Sequence, residues 1–279
     1  MPKSYLEIIR PADCLLASIA VLVGFLVATR GFLIVDPLSQ LKLFFGMLAV
    51  FLFAAAGIVI NDYYDYHIDK INAPHRPLPS GRIKRGHSLL YSYVLFLSAI
   101  VFSLLISSPE NPYCLLLALL NTPLEIYYAR NFKRMLFIGN VVDSWFVASS
   151  FLYGALIVGK ETLGAVPMLA LLAFLSNMGR EIFGDIEDLE GDKKLGLKTM
   201  PIVFGQRSAK YLGSLFILAA VAMSPLPWLL GLLSINYLVI VIIADLIFII
   251  SIFTNPKSNQ LLTKLAMGIA LLAFIAGVM

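Results

Sequence analysis

Charged residues are scarce in this sequence, accounting for only 14% of its 279 residues, whereas 59% are hydrophobic. Soluble globular domains are about one quarter charged, so the composition excludes an ordinary soluble domain of this length. Apolar runs of about 17 to 25 residues, long enough to cross a hydrocarbon core, recur throughout the chain. We count nine and predict an all-α integral membrane protein with spans near residues 12–30, 38–60, 87–107, 111–128, 136–158, 163–183, 207–224, 228–253 and 259–279.

Cysteine is nearly absent, and no A-x-A-like cleavage site follows the first apolar run. We therefore expect this run to be retained as a span rather than removed as a signal peptide. Cys14 and Cys114 lie near opposite ends of spans one and four, too far apart for a disulfide, and we interpret both as small buried hydrophobes. No large soluble segment remains, so we predict a single transmembrane domain over residues 1–279.

The basic residues are distributed unevenly between the two sides of the predicted bundle. With a cytoplasmic N-terminus, 18 of the 21 Lys and Arg residues lie inside, and only Arg30, Lys42 and Lys160 lie outside. This is the positive-inside pattern. It predicts a multi-pass protein of the cell membrane whose N-terminus is cytoplasmic, and it accounts for the net charge of +4 without a nucleic-acid partner.

A first group of oxygen donors lies at the end of span two. Asn61, Asp65 and Asp69 are spaced i, i+4 and i+8, so on a helix they fall within an arc of about 80°. Such a face suits Mg²⁺. The next residues, 70–82, contain three prolines and a glycine, which predicts a shaped basic loop. His75 in this loop is either a proton carrier or a surface residue.

A second oxygen-rich face lies at the end of span six. Asp185, Asp188 and Asp192 would fall within an arc of about 60° on a helix. The segment is not an EF-hand, because Leu189 would occupy the fifth ligand position. Basic residues surround this face: Arg180, Lys193, Lys194 and Lys198.

The two acidic faces are predicted to lie on the same, cytoplasmic side, because four spans separate them. Carboxylates normally favour helix N-termini, and these lie at C-terminal ends, which disfavours simple solvated caps. Two such faces would repel unless cations bound between them, so we predict a divalent metal site. A metal beside basic loops and a large apolar bundle suits a prenyl diphosphate. The metal would promote departure of the allylic group, leaving a carbocation-like centre for an acceptor to attack.

Several carboxylates lie within the predicted spans. Because a carboxylate in a span costs a few kcal/mol, we expect Glu125 and Asp143 to face a cavity or a partner, and Asp245 similarly. Spans seven to nine otherwise carry few polar residues, and we predict that they contribute packing only.

The ordered combination of motifs resembles the UbiA superfamily of intramembrane prenyltransferases over most of the chain. The motifs that carry the resemblance are Asn61-xxx-Asp65-xxx-Asp69, the loop 72–81, Tyr128 with Lys133-Arg134, and Asp188-xxx-Asp192 followed by residues 196–199. The resemblance implies nine transmembrane helices around a central cavity, with two Mg²⁺ ions bridging a prenyl diphosphate. It implies that Asn61, Asp65, Asp188 and Asp192 are the metal ligands and principal catalytic residues, with Asp69 and Asp185 as second candidates. The implied contacts to diphosphate are Arg76, Tyr128, Lys133, Arg180 and Lys198.

Within the superfamily, residues 179–192 look most like the archaeal branch that makes the second ether bond of archaeal membrane lipids. That branch transfers a geranylgeranyl group to the free hydroxyl of geranylgeranylglyceryl phosphate. The expected partners are thus a prenyl diphosphate, a lipid-like acceptor and membrane lipids, without an obligate protein partner. One departure is Asp13, where relatives often have Asn.

Two other functions remain open at this point. Prenylation of an aromatic acceptor, as in quinone synthesis, would use the same metal site. A transporter of ions or anions is the other alternative, but transport sites tend to lie near the bilayer midplane on interrupted helices, whereas both acidic faces lie at span ends.

Overall fold

The computed structural model describes residues 2–31, 36–194 and 196–278, and within these ranges all regular structure is helical. Met279, at the end of the ninth predicted span, lies outside the described residues, as do the side chains of Asn72 and Arg134. The helices are α1 (Pro2–Ile8), α2 (Pro11–Thr29), α3 (Pro37–Tyr64), α4 (Tyr66–Asn72), α5 (Arg85–Ile106), α6 (Tyr113–Arg130), α7 (Ile138–Leu156), α8 (Val166–Glu187), α9 (Leu189–Lys194), α10 (Met200–Phe204), α11 (Gln206–Met223), α12 (Leu226–Leu229), α13 (Ile235–Ile252) and α14 (Pro256–Val278).

Nine of the described helices have 18 or more residues, and each corresponds to one predicted apolar run: α2, α3, α5, α6, α7, α8, α11, α13 and α14. Seven of these, with α11 continued into α12, are long and apolar enough to cross a membrane. The other two, α6 and α7, carry polar residues within their length, among them Asn121, Glu125 and Asp143. The all-α multi-pass membrane class is therefore confirmed, and the number of nine spans stays a prediction.

The outer surface of the bundle is apolar, as a lipid-facing surface requires. Leu90, Leu97 and Leu104 recur every seven residues along α5 and are all exposed. This spacing places them on one stripe of the helix. The polar residues of the spans lie on the other side, around the interior.

Glycines bring α2 and α7 into close contact beside the interior. A Cβ atom on Gly154 would lie 2.1 Å from the backbone oxygen of Val21, and one on Gly24 would lie 2.0 Å from that of Phe151. Neither position accepts a larger residue without separating the helices. Gly57 of α3 has a related role, because a Cβ atom on it would lie 2.9 Å from Glu125 Oε1. Gly57 thus makes room for the Glu125 side chain.

Candidate functional site

The helices enclose a cavity of about 1040 Å³, lined by residues from every long helix except α5. Its wall includes apolar side chains from the spans, among them Leu16, Phe146, Leu172 and Phe274. Ten of the eleven site residues predicted from the sequence line it. They are Asn61, Asp65, Asp69, Arg76, Tyr128, Lys133, Arg180, Asp185, Asp188 and Asp192. Lys198 is exposed and lies outside the wall described for this cavity.

The first acidic face survives an interruption of its helix. α3 ends at Tyr64 and α4 begins at Tyr66, with Asp65 between them at φ −84° and ψ 7°. The N–H of Asp65 nevertheless donates to Asn61 O at 2.9 Å, and that of Asp69 to Asp65 O at 2.8 Å. Because this i to i+4 pattern continues, all three side chains face the cavity.

The second acidic face is built in the same way. α8 gives way to α9 at Asp188, which has φ −86° and ψ 1°. The N–H of Asp188 donates to Gly184 O and that of Asp192 to Asp188 O, each at 3.0 Å. The short helices α4 and α9 pack against each other. The two faces therefore open into the same cavity, as the span parity predicts.

Cations of the chain neutralise part of this negative charge. Lys133 Nζ lies 2.5 Å from Asp65 Oδ2, and Arg76 lies 2.9 Å from both oxygens of Asp69. Burial alone would lower the pKa of Lys133, but the nearby carboxylates, Asp65 foremost, raise it above the usual value for lysine. Lys133 and Arg76 were predicted to bind diphosphate, and in this structure each is paired with an acidic face.

The carboxylates of the second face are less well compensated. Burial is the main reason that the pKa of Asp192 is raised to about 6, and the neighbouring Asp188 raises it further. The pKa of Asp188 is also raised by burial, although Lys133 and Arg76 oppose the shift. Both groups would therefore be stabilised as carboxylates by an additional cation.

Asn61 presents an oxygen to the cavity. Its Nδ2 donates to Gly57 O at 3.0 Å and to Glu125 Oε1 at 3.1 Å, which fixes the orientation of the amide. Its Oδ1 is buried and has no hydrogen-bond partner in the described part of the chain. A buried acceptor of this kind is uncommon in proteins and suits a ligand that brings its own positive charge.

The donor set fits a hard divalent cation shared with a substrate. Across residues 2–31, 36–194 and 196–278, no three Asp, Glu, His or Cys side chains are close enough to hold an ion by themselves. The six predicted ligands instead line one cavity from two sides. Mg²⁺ is usually held in this way, by one or two carboxylates, water and substrate phosphates rather than by a closed protein cage.

The sequence interpretation missed Asp62, which also lines the cavity. Its carboxylate is buried and lies 2.6 Å from the guanidinium of Arg10. Asp62 precedes the interruption at Asp65 by three residues, as Asp185 precedes the one at Asp188. The positions of the two helix interruptions show that Asp62 corresponds to Asp185. The i, i+4, i+8 spacing that begins at Asn61 does not include Asp62.

The expectation that Asp245 faces a cavity is confirmed, whereas the prediction that span nine contributes packing only is wrong. Asp245 of α13 and Lys264 of α14 line the cavity. Asp245 accepts a hydrogen bond from the Ser224 hydroxyl at 2.6 Å. Lys264 forms an ion pair with Asp13, the residue at which the sequence departs from the family pattern. The acidic residue is thus matched by a lysine across the bundle.

The other intramembrane carboxylates behave as expected. Glu125 and Asp143 both line the cavity.

Arg180 is held by neighbouring side chains, because its guanidinium donates to Gln260 Oε1 at 3.0 Å and to Glu181 Oε1 at 2.5 Å. Tyr128 is buried, with its ring edge to face with Phe146 at a centroid distance of 6.1 Å. Polar groups thus extend from the acidic faces into the spans.

Comparison with known proteins gives consistent results. The model of the UbiA prenyltransferase family matches residues 17–276. The chain is 42% identical to the digeranylgeranylglyceryl phosphate synthase of Methanosarcina barkeri, over 99% of this chain and 98% of that protein. It is 41% identical to the enzyme of the same name from Thermococcus kodakarensis, over 98% and 97% of the two chains.

Solved structures show the same fold. A structure of digeranylgeranylglyceryl phosphate synthase superimposes with a TM-score of 0.76 at 37% identity, covering 99% of this chain and 98% of the other. A UbiA homologue from Archaeoglobus fulgidus bound to DMAPP and Mg²⁺ has a TM-score of 0.71 at 20% identity, with 99% of both chains covered.

Proposed function

This chain belongs to the UbiA prenyltransferase family, and on that premise we propose that it makes the second ether bond of archaeal-type membrane lipids. It would transfer a geranylgeranyl group from geranylgeranyl diphosphate to the free glycerol hydroxyl of geranylgeranylglyceryl phosphate. The support for this acceptor is that similar relatives, aligned over nearly their whole length, are named digeranylgeranylglyceryl phosphate synthases. One homologue of the same fold, from Archaeoglobus fulgidus, has been solved with DMAPP and Mg²⁺ bound and with GPP and Mg²⁺ bound.

The observation that carries the proposal is the meeting of two acidic faces and two cations in a cavity that also has apolar walls. A diphosphate would lie between the acidic faces, and the prenyl chain would lie among the spans. The volume of about 1040 Å³ is at the upper end of the range for small-molecule sites, as a long-chain substrate requires.

We assign Asn61, Asp65, Asp188 and Asp192 to hold Mg²⁺, with Asp69 and Asp185 as further ligands. The unpartnered Oδ1 of Asn61 supports this assignment, and the presence of two acidic faces suggests two ions. When bound, Mg²⁺ would stabilise the negative charge that develops on the departing diphosphate.

Lys133 and Arg76 are assigned to bind the diphosphate oxygens. Their side chains are 43% and 37% exposed, although they lie at the cavity, so phosphate can reach them. Lysine has three N–H donors and arginine five, so each retains donors beyond those that contact Asp65 and Asp69. Tyr128 and Arg180 lie further along the same wall and are assigned supporting contacts.

The apolar wall protects the reacting carbon from water. Phe146, Val147 and Leu172 line the cavity beyond the acidic faces. Excluding water there prevents hydrolysis of a carbocation-like centre before the acceptor reacts. We infer that the acidic faces lie at the cytoplasmic surface of the cell membrane, as the distribution of basic residues predicts.

The test is to incubate the purified protein with Mg²⁺, geranylgeranyl diphosphate and a panel of acceptors, and to identify products by mass spectrometry. We expect ether product with geranylgeranylglyceryl phosphate. Asp65→Asn and Asp188→Asn should each lower turnover, and Glu190→Gln should not, because Glu190 is exposed on α9 outside the described cavity wall. Product with aromatic acids alone would contradict the ether-lipid proposal, and full activity of both aspartate variants would contradict the metal assignment.

A further inference from the structure

The proposed reaction requires a group that accepts the proton of the attacking hydroxyl, and the metal and diphosphate ligands do not supply one. We propose that Asp143 is this base. The inference rests on the proposed function, because it concerns the acceptor of the same prenyl transfer. Three observations support it: the position of Asp143 on α7, the contacts of its carboxylate, and the contacts of the other carboxylates in the cavity.

Asp143 lies at the boundary between the polar and apolar parts of the cavity. One turn before it on α7, Asn140 Nδ2 donates to Asp185 Oδ2 of the second acidic face at 3.0 Å. One turn after it, Phe146 and Val147 contribute apolar wall. The reacting carbon C1 joins the diphosphate to the hydrocarbon chain, so it must lie at the same boundary. Since one helical turn rises about 5.4 Å, Asp143 is within reach of a hydroxyl that approaches C1.

The carboxylate of Asp143 is oriented by a hydrogen bond and forms no ion pair, although the charge of Arg180 acts on it from a greater distance. Asn177 Nδ2 donates to Asp143 Oδ2 at 2.9 Å. Asn177 is in turn held by Arg180 Nε, which donates to its Oδ1 at 3.2 Å, and by a contact to Ser144 Oγ at 3.2 Å. In the described ranges no cation pairs with Asp143, and its Oδ1 makes no hydrogen bond. That oxygen is left to accept a proton, as a positioned general base requires.

The contacts and positions of the other cavity carboxylates distinguish them from Asp143. Apart from the assigned metal ligands, three carboxylates are paired with cations: Asp13 with Lys264, Asp62 with Arg10, and Glu181 with Arg180. An ion pair makes a carboxylate a weaker proton acceptor. Glu125 and Asp245 each accept one hydrogen bond, as Asp143 does, so their positions distinguish them from it. Glu125 orients Asn61 of the first acidic face, and Asp245 of α13 contacts Ser224, which follows the end of α11. Glu187 is exposed at the water-facing end of α8, away from the apolar wall.

The proposed step balances without any further reactant. The hydroxyl oxygen of the acceptor forms a bond to C1, and the bond from C1 to the diphosphate oxygen breaks with its electron pair on the diphosphate. The hydroxyl proton passes to Asp143 Oδ1. After the ether product leaves, the carboxylic acid returns this proton to water, which restores the carboxylate.

The experiment separates departure of the diphosphate from bond formation to the acceptor. Asp143→Asn keeps an oxygen to accept from Asn177 but removes the base. Ether formation is expected to fall about 100-fold or more, the usual contribution of general base catalysis. Two other quantities should stay within about threefold of wild type. One is the KM for geranylgeranyl diphosphate. The other is the rate at which labelled oxygen scrambles within recovered geranylgeranyl diphosphate, which reports reversible ionisation. That retained scrambling also shows that the variant is folded.

Asp245→Asn is the matched control, because Asp245 is another hydrogen-bonded carboxylate within a span and on the same cavity wall. It should leave ether formation unchanged. Asn177→Ala is a second test variant, which keeps the base but removes its orientation, and it should reduce ether formation about tenfold with scrambling retained.

Three results would overturn the assignment. The first is unchanged ether formation in Asp143→Asn, and the second is an equal loss of scrambling and ether formation in that variant. The third is a loss of ether formation with retained scrambling in Asp245→Asn instead. A wild-type protein that prenylates only some other hydroxyl acceptor would contradict the proposed function. The same variants, assayed with that acceptor, would still decide the role of Asp143.

Discussion

Substituting Asn61 by aspartate should impair the enzyme, although Mg²⁺ generally prefers carboxylate ligands. The reason is the surroundings of the amide nitrogen. Nδ2 donates to Gly57 O at 3.0 Å and to Glu125 Oε1 at 3.1 Å. Aspartate has no donor at this position, so its second oxygen would face two acceptors in a buried place.

The size of the effect follows from these distances. Two carboxylates separated by the 3.1 Å of the present contact repel by about 5 kcal/mol at an effective dielectric constant of about 20. A proton shared between them relieves the repulsion but also removes the charge that the substitution adds. Two buried hydrogen bonds to Asn61 are lost or reversed in either case, at about 1 to 1.5 kcal/mol each. A net cost of about 3 kcal/mol corresponds to a loss of roughly 100-fold in kcat/KM.

The assay is prenyl transfer at varied Mg²⁺, together with binding of Mn²⁺ measured by electron paramagnetic resonance. Both turnover and metal affinity should fall in Asn61→Asp. Adding Glu125→Gln to that variant restores a donor opposite the new carboxylate and should recover activity at least tenfold, whereas Glu125→Gln alone should have a small effect. Wild-type activity in Asn61→Asp, or an absence of recovery in the double variant, would show that the amide nitrogen of Asn61 is not needed as a donor.

Four further expectations follow from the packing, the charges and the topology. Gly154→Ala should lower the free energy of unfolding in detergent by about 3 kcal/mol, because the added Cβ would overlap the backbone of α2. Gly268→Ala is the control and should not destabilise the protein, because the space around Gly268 is open. Equal unfolding temperatures for the two variants would contradict this expectation. Without Mg²⁺ the unfolding temperature should rise as the pH falls from about 7 to about 5. The reason is that the pKa of Asp192 is raised to about 6, so the folded state binds this proton more tightly than the unfolded state does. The same rise in Asp192→Asn would contradict this expectation. A thiol introduced by Lys160→Cys should react with an impermeant maleimide added outside the cell, whereas a thiol introduced by Lys198→Cys should react only when the reagent is inside. The background should be low, because both native cysteines are buried. The reverse labelling pattern would invert the predicted topology. Calorimetry should show that a non-reactive prenyl diphosphate analogue raises Mg²⁺ affinity about fivefold or more, and independent binding would contradict such coupling.

The sequence was sufficient to predict the helices and the acidic faces. Apolar runs of membrane-crossing length become helices because the backbone must satisfy its own hydrogen bonds in lipid. The i, i+4 spacing of Asn61, Asp65 and Asp69 predicted a common face, and the hydrogen bonds across Asp65 keep them there. The counting of spans then predicted that the Asp188 face lies on the same side.

Contacts between distant elements could not be predicted from these patterns. The ion pairs of Asp65 with Lys133 and of Asp13 with Lys264 join residues 68 and 251 positions apart. They depend on how the spans pack, and neither helical periodicity nor hydropathy contains that information. The low polar content of α14 therefore concealed the fact that Lys264 faces the cavity.

The charge balance of the site explains why ligands of both signs should bind together. Two acidic faces this close require cations between them, and the chain supplies some of these cations, because Lys133 pairs with Asp65 and Arg76 pairs with Asp69. A metal ion alone would compete with these cations and leave them unpaired in a cavity of low polarity, and a diphosphate alone would leave the carboxylates unpaired. A metal diphosphate offers a positive partner to each aspartate and a negative partner to Lys133 and Arg76. When the metal and the diphosphate bind together, the charges exchange partners and every charge remains compensated. When either ligand binds alone, some charges lose their partners.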